Sequence, residues 1–410
     1  MPKISDKGQL MPSSPIRKLA PYAVAARARG IKVFPLNIGQ PDLPTPPAFW
    51  ERLSNLDMSV LAYAPSDGLP AYKTKWVEYY NRLGADIKSA DVLVTSGASE
   101  ALAIGMMACL DPGDEIIIPE PLYANYIGFA TASGVEIKPV TTTIDDGFAL
   151  PPMQSLVNLI GPRTKAILIC NPNNPTGYLY NRQELETLRH LVLRYDLFLF
   201  VDEVYREFVY DGREHISVLT LEGLEKNALV FDSISKRFSA CGARIGVLIS
   251  RNREVMETAM KFAQARLSPP SLGQLAGEPL FDLPPSYYAE ILQEYDERRQ
   301  YLVNRLQAME GVRCPLPGGA FYAIVELPVD DTDRFCQWLL ESFDLNGKTL
   351  MMAPASGFYS SDELGHNQAR VAYVLKKEDL AQAMDCLEAG LAAYPGRTYA
   401  AARRESFNPS

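Results

Sequence analysis

Histidine is scarce in this 410-residue chain: only His190, His215 and His366 occur, which argues against a histidine-based triad or a histidine-rich metal site. The six cysteines (Cys109, Cys170, Cys241, Cys314, Cys336, Cys386) contain no CxxC pair, and in so long a chain they read as reduced thiols of a cytoplasmic protein. No run of about 18 uncharged apolar residues exists, so no membrane span is expected. The opening Met1-Pro2-Lys3-Ile4-Ser5-Asp6-Lys7 lacks the apolar stretch of a signal peptide. Basic charge is also lacking: the formal net charge is −9, which argues against a nucleic-acid or anionic-membrane surface. No GxGxxG turn follows an early strand, which removes the dinucleotide-binding dehydrogenases. Any catalysis must then fall to Lys, Tyr, Asp or a cofactor.

What is present suits a globular protein with room for two domains: 47% apolar and 22% charged residues. Residues 1–14 read as a flexible or partner-clasping arm. Ser14-Pro15 is placed to start a helix that Pro21 kinks or restarts and Gly30 ends. Residues 31–38 read as a short strand. From about residue 48 to 281, apolar runs at 91–95, 115–118, 136–140, 166–170, 197–201, 228–231 and 246–249 alternate with helical patterns. One of these, opening at Asn181-Arg182-Gln183-Glu184, has the form of a capping box. Such alternation predicts an α/β fold with a mostly parallel central sheet flanked by helices. After Pro284-Pro285 come a long helix (286–309), a strand (321–327), a helix (332–343), a strand (370–374) and a helix (378–393). These read as a smaller α+β domain built from both chain ends, 1–47 and 282–410.

The polar clusters share a position. Ser96-Gly97-Ala98-Ser99, Asn171-Pro172-Asn173-Asn174-Pro175-Thr176-Gly177, Asp202-Glu203-Val204-Tyr205 and Ser233-Ile234-Ser235-Lys236 each follow an apolar run directly. In an open parallel sheet that is the edge where ligands bind. Taken singly, each is explained as a turn, a helix start or a loop with a surface charge; four at one edge carry more. Gly97, Ala98 and Ser99 at a helix N-terminus suit a phosphate, with Ser233 and Arg244 completing the cradle. Asp202 suits a protonated ring nitrogen, Asn174 and Tyr205 a ring oxygen, and Lys236 an aldehyde. Those four groups are the parts of pyridoxal 5′-phosphate.

The complete Asn-Pro-x-Asn-Pro-Thr-Gly loop at 171–177, the Asp-Glu-x-Tyr at 202–205, and the Ser-x-Ser-Lys followed by Gly-x-Arg-x-Gly at 233–246 resemble the fold-type I, class I/II aminotransferases of the aspartate aminotransferase superfamily. The likeness runs from about Leu36 to the C-terminal helix. It implies an amino-group transfer between an L-amino acid and a 2-oxo acid by a ping-pong route, with Lys236 as Schiff-base lysine and proton shuttle. It further implies that Tyr123 stacks on the pyridine ring, and that Arg370 and the backbone of Gly39 meet the substrate α-carboxylate beside Asn174. Tyr63, in Tyr63-Ala64-Pro65, would reach the phosphate of a neighbouring subunit, so a homodimer with shared active sites is expected. Some aspartate-specific members carry a lysine where Ser99 stands. Arg266 is a candidate distal charge, with a helix-end surface arginine the plainer reading. Other reactions of the same cofactor (elimination, decarboxylation, oxidation) and a non-catalytic regulatory module are the alternatives.

Overall fold

The computed structural model describes residues 2–398; Met1 of the arm and residues 399–410 of the tail lie outside it. Twelve strands occur among the described residues: β1 (Lys32–Pro35), β2 (Val92–Thr95), β3 (Glu115–Glu120), β4 (Glu136–Thr141), β5 (Thr164–Cys170), β6 (Phe198–Asp202), β7 (Ala228–Ser233), β8 (Gly246–Ile249), β9 (Tyr322–Glu326), β10 (Lys348–Met351), β11 (Ala353–Pro354) and β12 (Gln368–Ala372). Strands β2 to β8 form one sheet in the order β2-β8-β7-β6-β5-β3-β4, parallel throughout except that β8 runs against both neighbours.

Strand side chains alternate between faces, and that alternation sorts the sheet into two cores. Leu93, Ile116, Leu168, Phe200, Leu229, Phe231 and Leu248 belong to one buried cluster, together with Ala101, Leu102 and Ile104 of helix Ala98–Cys109. Val92, Val94, Ile117, Ile169, Val201, Val230 and Val247 belong to the other, which contains Tyr72, Trp76 and Tyr80 of helix Pro70–Asn81. Both faces being covered explains why these strands are almost continuously apolar. The expected capping box is present: Glu184 N–H donates to Asn181 Oδ1 (3.0 Å) and Asn181 N–H to Glu184 Oε2 (2.8 Å). Leu185, Leu188 and Val192 of helix Arg182–Tyr195 are buried as the spacing predicts.

Strand direction places the chemistry. In register, Cys170 of β5 faces Asp202 of β6, and Asp202 faces Phe231 of β7, so these strands end together. Because β8 is antiparallel, its first residue lies at that same edge, Gly246 opposite both Thr95 and Ser233. Arg244, two residues earlier, is thereby delivered to the carboxyl edge although it precedes its strand.

The chain ends form two further sheets. β1 pairs in parallel with β10, and β11-β12-β9 is antiparallel. The N-terminal expectations need correction. The chain turns through 15–19 and the helix begins only at Ala20, running to Ala28 with Pro21 in its first turn. Gly30, at φ 84°, then turns the chain into β1, which is shorter than the run that suggested it. The arm carries a short helix, Asp6–Leu10, whose Lys7 Nζ donates to Ala132 O (3.0 Å). No helix among the described residues is long and apolar enough to cross a membrane.

Candidate active site

A cavity of about 530 Å³ opens at the carboxyl edge of the large sheet, walled by the sheet, by β9 and β12, and by the segment 14–17. Gly39, Ala98, Ser99, Tyr123, Asn174, Asp202, Tyr205, Ser233, Lys236, Arg244 and Arg370 all line it. Eleven expected residues, drawn from segments spread over more than 300 positions, thus meet in one space.

Lys236 sits in the short helix Ile234–Arg237 immediately after β7, not in the open loop that its serine and glycine neighbours suggest. Ser233 caps that helix, its Oγ accepting from Ser235 N–H (3.0 Å) and donating to Ile245 O (2.8 Å). The Lys236 amine donates to Gly39 O (2.9 Å). Removal from water lowers its pKa; nearby Cys241 opposes this, and the positive charges of Arg370 and Arg244 add to it. The amine is therefore easier to deprotonate than a surface lysine.

Asp202 is the last residue of β6 and 4% exposed. Tyr126 Oη donates to its Oδ2 (2.8 Å) and Val204 N–H to its Oδ1 (3.3 Å). Burial nevertheless pushes the carboxyl up to about 6, an acid that gains from a cationic partner. Asn174 Nδ2 is 3.4 Å from Tyr205 Oη, and Tyr205 Oη is 3.0 Å from Tyr322 Oη, so three polar tips converge.

Arg370 is 1% exposed, and its guanidinium is aimed by two bonds, Nη1 to Asn174 Oδ1 (3.0 Å) and Nη2 to Asn37 O (2.5 Å). It lies 4.5 Å over the Tyr322 ring, and its buried Nε has no partner. A buried cation with an unspent donor at a cavity wall suits a carboxylate. Gly39 is required by crowding: a Cβ there would overlap the Tyr322 hydroxyl. Gly97, at φ 77°, caps helix Ala98–Cys109, and a Cβ on it would meet Arg244 Nη2 at 2.6 Å. The backbone N–H groups opening that helix and the exposed Arg244 guanidinium thus share a concavity that a side chain would fill, which is what a phosphate needs. Pyridoxal 5′-phosphate fits these residues: Gly97–Ser99 and Arg244 would hold its phosphate, Asp202 would pair with its ring nitrogen, and Lys236 would meet its aldehyde.

Two expectations fall elsewhere. Tyr63 does not line the cavity; it is 79% exposed beside a separate groove of about 380 Å³. Arg266 is neither a surface residue nor a cavity residue, because it is half-buried with Nε on Glu100 Oε1 (3.0 Å) and Nη2 on Val94 O (3.1 Å). Several residues escaped sequence reasoning. Ser235 lines the cavity and was visible beside Lys236 as the second serine of its motif. Tyr126, which bonds Asp202, lies three residues after Tyr123. Cys241 lay inside the run 233–246 at a position the motif leaves open, and Tyr322 and Arg17 fell in no motif.

Residues 31–387 match the family model for aminotransferase class I and II. An aspartate aminotransferase of Pyrococcus horikoshii is 30% identical over 95% of this chain and 97% of its own. An aromatic-amino-acid aminotransferase of Thermococcus litoralis is 29% identical over 94% and 97%. The solved structure of an alanine aminotransferase from Pyrococcus furiosus superposes with a TM-score of 0.87 at 31% identity, covering 94% of this chain and 99% of that one. With Lys236, Asp202 and Arg370 in one cavity and the match spanning nearly the whole chain, this protein belongs to the class I and II aminotransferases and is a pyridoxal 5′-phosphate-dependent aminotransferase.

Proposed function

We propose that the 530 Å³ cavity carries out the amino-group transfer with Lys236 as the attachment point and acid–base group, Asp202 as the ring partner and Arg370 as the anchor for the substrate α-carboxylate. The observation that carries this reading is the convergence of a lysine of lowered pKa, a buried carboxylate and a buried, aimed guanidinium on one space. When bound, the cofactor supplies an aldehyde and an electron-withdrawing ring. Arg370, fixed by Asn174 and Asn37, orients the substrate so that its α-hydrogen faces Lys236. Lys236 Nζ then takes that proton as a general base and hands it on within the cavity. Asp202 would supply a compensating negative charge to the ring nitrogen. Asn174 and Tyr205 would bond the ring oxygen, Tyr123 would pack on the ring, and Gly97, Ala98, Ser99, Ser233 and Arg244 would hold the phosphate. The carbonyl of Gly39, already bonded to Lys236, brings the chain's N-terminal portion against the reacting centre. Borohydride treatment of the enzyme as purified, followed by peptide mass mapping, should place a reduced cofactor adduct on Lys236; an adduct on another lysine would refute the assignment.

We also infer a homodimer in which Tyr63 reaches the partner's site. Met58, Val60, Leu61 and Tyr63 are 45%, 71%, 59% and 79% exposed, an apolar run that a lone chain would leave in water. Light scattering at micromolar concentration should give twice the chain mass, and a monomer there would contradict it. Residues 48–281 are taken as the large domain, consistent with its sheet lying between residues 92 and 249; the small domain then combines 1–47 with 282–410, β1 being paired with β10. A cytoplasmic setting without nucleic-acid partners is inferred from the six unpaired cysteines and the net charge of −9.

A further inference from the structure

Four residues that line the cavity have a charged neighbour in the chain that does not. Glu203 follows Asp202, Arg206 follows Tyr205, Asp232 precedes Ser233 and Arg237 follows Lys236. These neighbours are 0%, 5%, 0% and 1% exposed, and the two arginines lie against Trp76, Tyr79 and Tyr80 of helix Pro70–Asn81, on the far face of the sheet. The reaction described above uses none of them. Stability does not account for them either: taking such charges out of water costs about what their attraction returns, and apolar side chains often fill the same space as well. What a satisfied buried polar network adds is rigidity, because each member must keep its partners in one geometry.

The bonds of this network converge on the turn that carries the lysine. Arg237 pairs with Asp232 Oδ2, and its guanidinium lies 4.5 Å over the Tyr79 ring and 5.3 Å over the Trp76 ring. Its carbonyl accepts from Tyr287 Oη (3.2 Å), so the residue is held at both ends. Tyr80 Oη donates to the same Asp232 oxygen (2.8 Å) and stands 3.4 Å from Glu203 Oε2. Glu203 accepts in turn from Ser217 Oγ (2.9 Å), Val218 N–H (3.1 Å) and Arg206 Nη1 (3.4 Å). The residues behind Asp202 and behind Lys236 are thus joined through one hydroxyl. The helix they hold, Ile234–Arg237, is a single turn of four residues, too short to keep its shape unaided.

We propose that Arg237 is a positioning residue: locked to Asp232, and through Tyr80 to Glu203, it fixes the turn 234–237 so that the Lys236 amine stands where the cofactor aldehyde is delivered. This rests on Lys236 being the attachment point and adds to it the group that aims it. Arg237 does not line the cavity and acts only through its neighbour.

The test mixes cofactor-free enzyme with pyridoxal 5′-phosphate and follows formation of the C=N bond, in which the lysine amine attacks the aldehyde carbon and one water leaves. Binding of deoxypyridoxine 5′-phosphate, which has a methyl group in place of the aldehyde, is measured alongside. In Arg237→Gln, bond formation should slow roughly 100-fold, the cost of a reacting group displaced by about 1 Å, while the dissociation constant of the deoxy analogue stays unchanged. Arg237→Lys keeps the charge and loses the planar fork, so it should recover part of the rate. Should Arg237→Gln fail to fold, its Asp232 being left buried without a cation, Tyr80→Phe decides. That change removes one hydroxyl, keeps the packing and should slow bond formation roughly fivefold. Wild-type rates in Tyr80→Phe and in whichever Arg237 variant folds, or an equal loss in analogue binding and bond formation, would overturn the positioning role. A wild-type enzyme that forms no C=N bond at Lys236 would remove the attachment reading itself, and this inference with it.

Discussion

Lys236→Ala should lose roughly 10³- to 10⁴-fold in kcat with every amino-acid substrate, the scale of removing a positioned general base. Lys236 contributes the only side-chain amine lining the cavity among the described residues, so no neighbour can take over either of its roles. Its one strong bond in the fold is to Gly39 O, so the variant should melt within a few degrees of the wild type. That pairing of a large kinetic loss with a small thermal change distinguishes a reacting group from a structural one. Near-normal turnover, or a purified variant still carrying reducible, covalently bound cofactor, would mean that another residue does this work.

Asp202→Asn should be the second most damaging change, costing roughly 10²- to 10³-fold in kcat, as other preorganised electrostatic contacts do. Asparagine keeps the shape and can still accept from Tyr126, giving up only the longer bond from Val204 N–H, so the loss is chiefly that of the charge. The same variant makes a stability prediction of opposite sign. Burial raises the folded pKa of Asp202 from 3.8 to about 6, so between those values the folded chain binds more protons than the unfolded one. Stability therefore falls as pH rises through that window, and above about 6 the whole penalty is felt. Without cofactor, Asp202→Asn should melt higher than the wild type at pH 7, and the gap should close as pH falls toward 4. With cofactor bound, a ring cation faces the carboxylate and the advantage should shrink. A variant that melts lower than wild type at pH 7 without cofactor would show that the carboxylate is there for the fold.

Much of this site was legible because its chemistry is carried by short local motifs at strand ends. The run Ser233–Gly246 gave both Lys236 and Arg244, and apolar alternation put each motif at one sheet edge. Its antiparallel β8 was not legible, yet that reversal is what returns Arg244 to the cavity. β10 went unread because four residues after Gly347, one of them a lysine, carry too little periodicity to be told from a loop. Tyr322 and Arg17 went unread for a different reason. Their positions are set by tertiary contacts, β9 against the sheet edge and Ile16 against Asn37, which no local pattern records. Tyr63 lies outside the cavity and is 79% exposed; its place in a second copy of the chain is the inference made above.

The most direct measurement is the stoichiometry of a single half-reaction. Enzyme loaded with cofactor and mixed with an amino acid alone should release one equivalent of the matching 2-oxo acid per Lys236 and then stop. Neither ammonia nor carbon dioxide should appear, and adding a second 2-oxo acid should restart turnover. Continued release of ammonia or carbon dioxide without an acceptor would show that the cavity breaks a different bond, and would contradict amino-group transfer as its reaction.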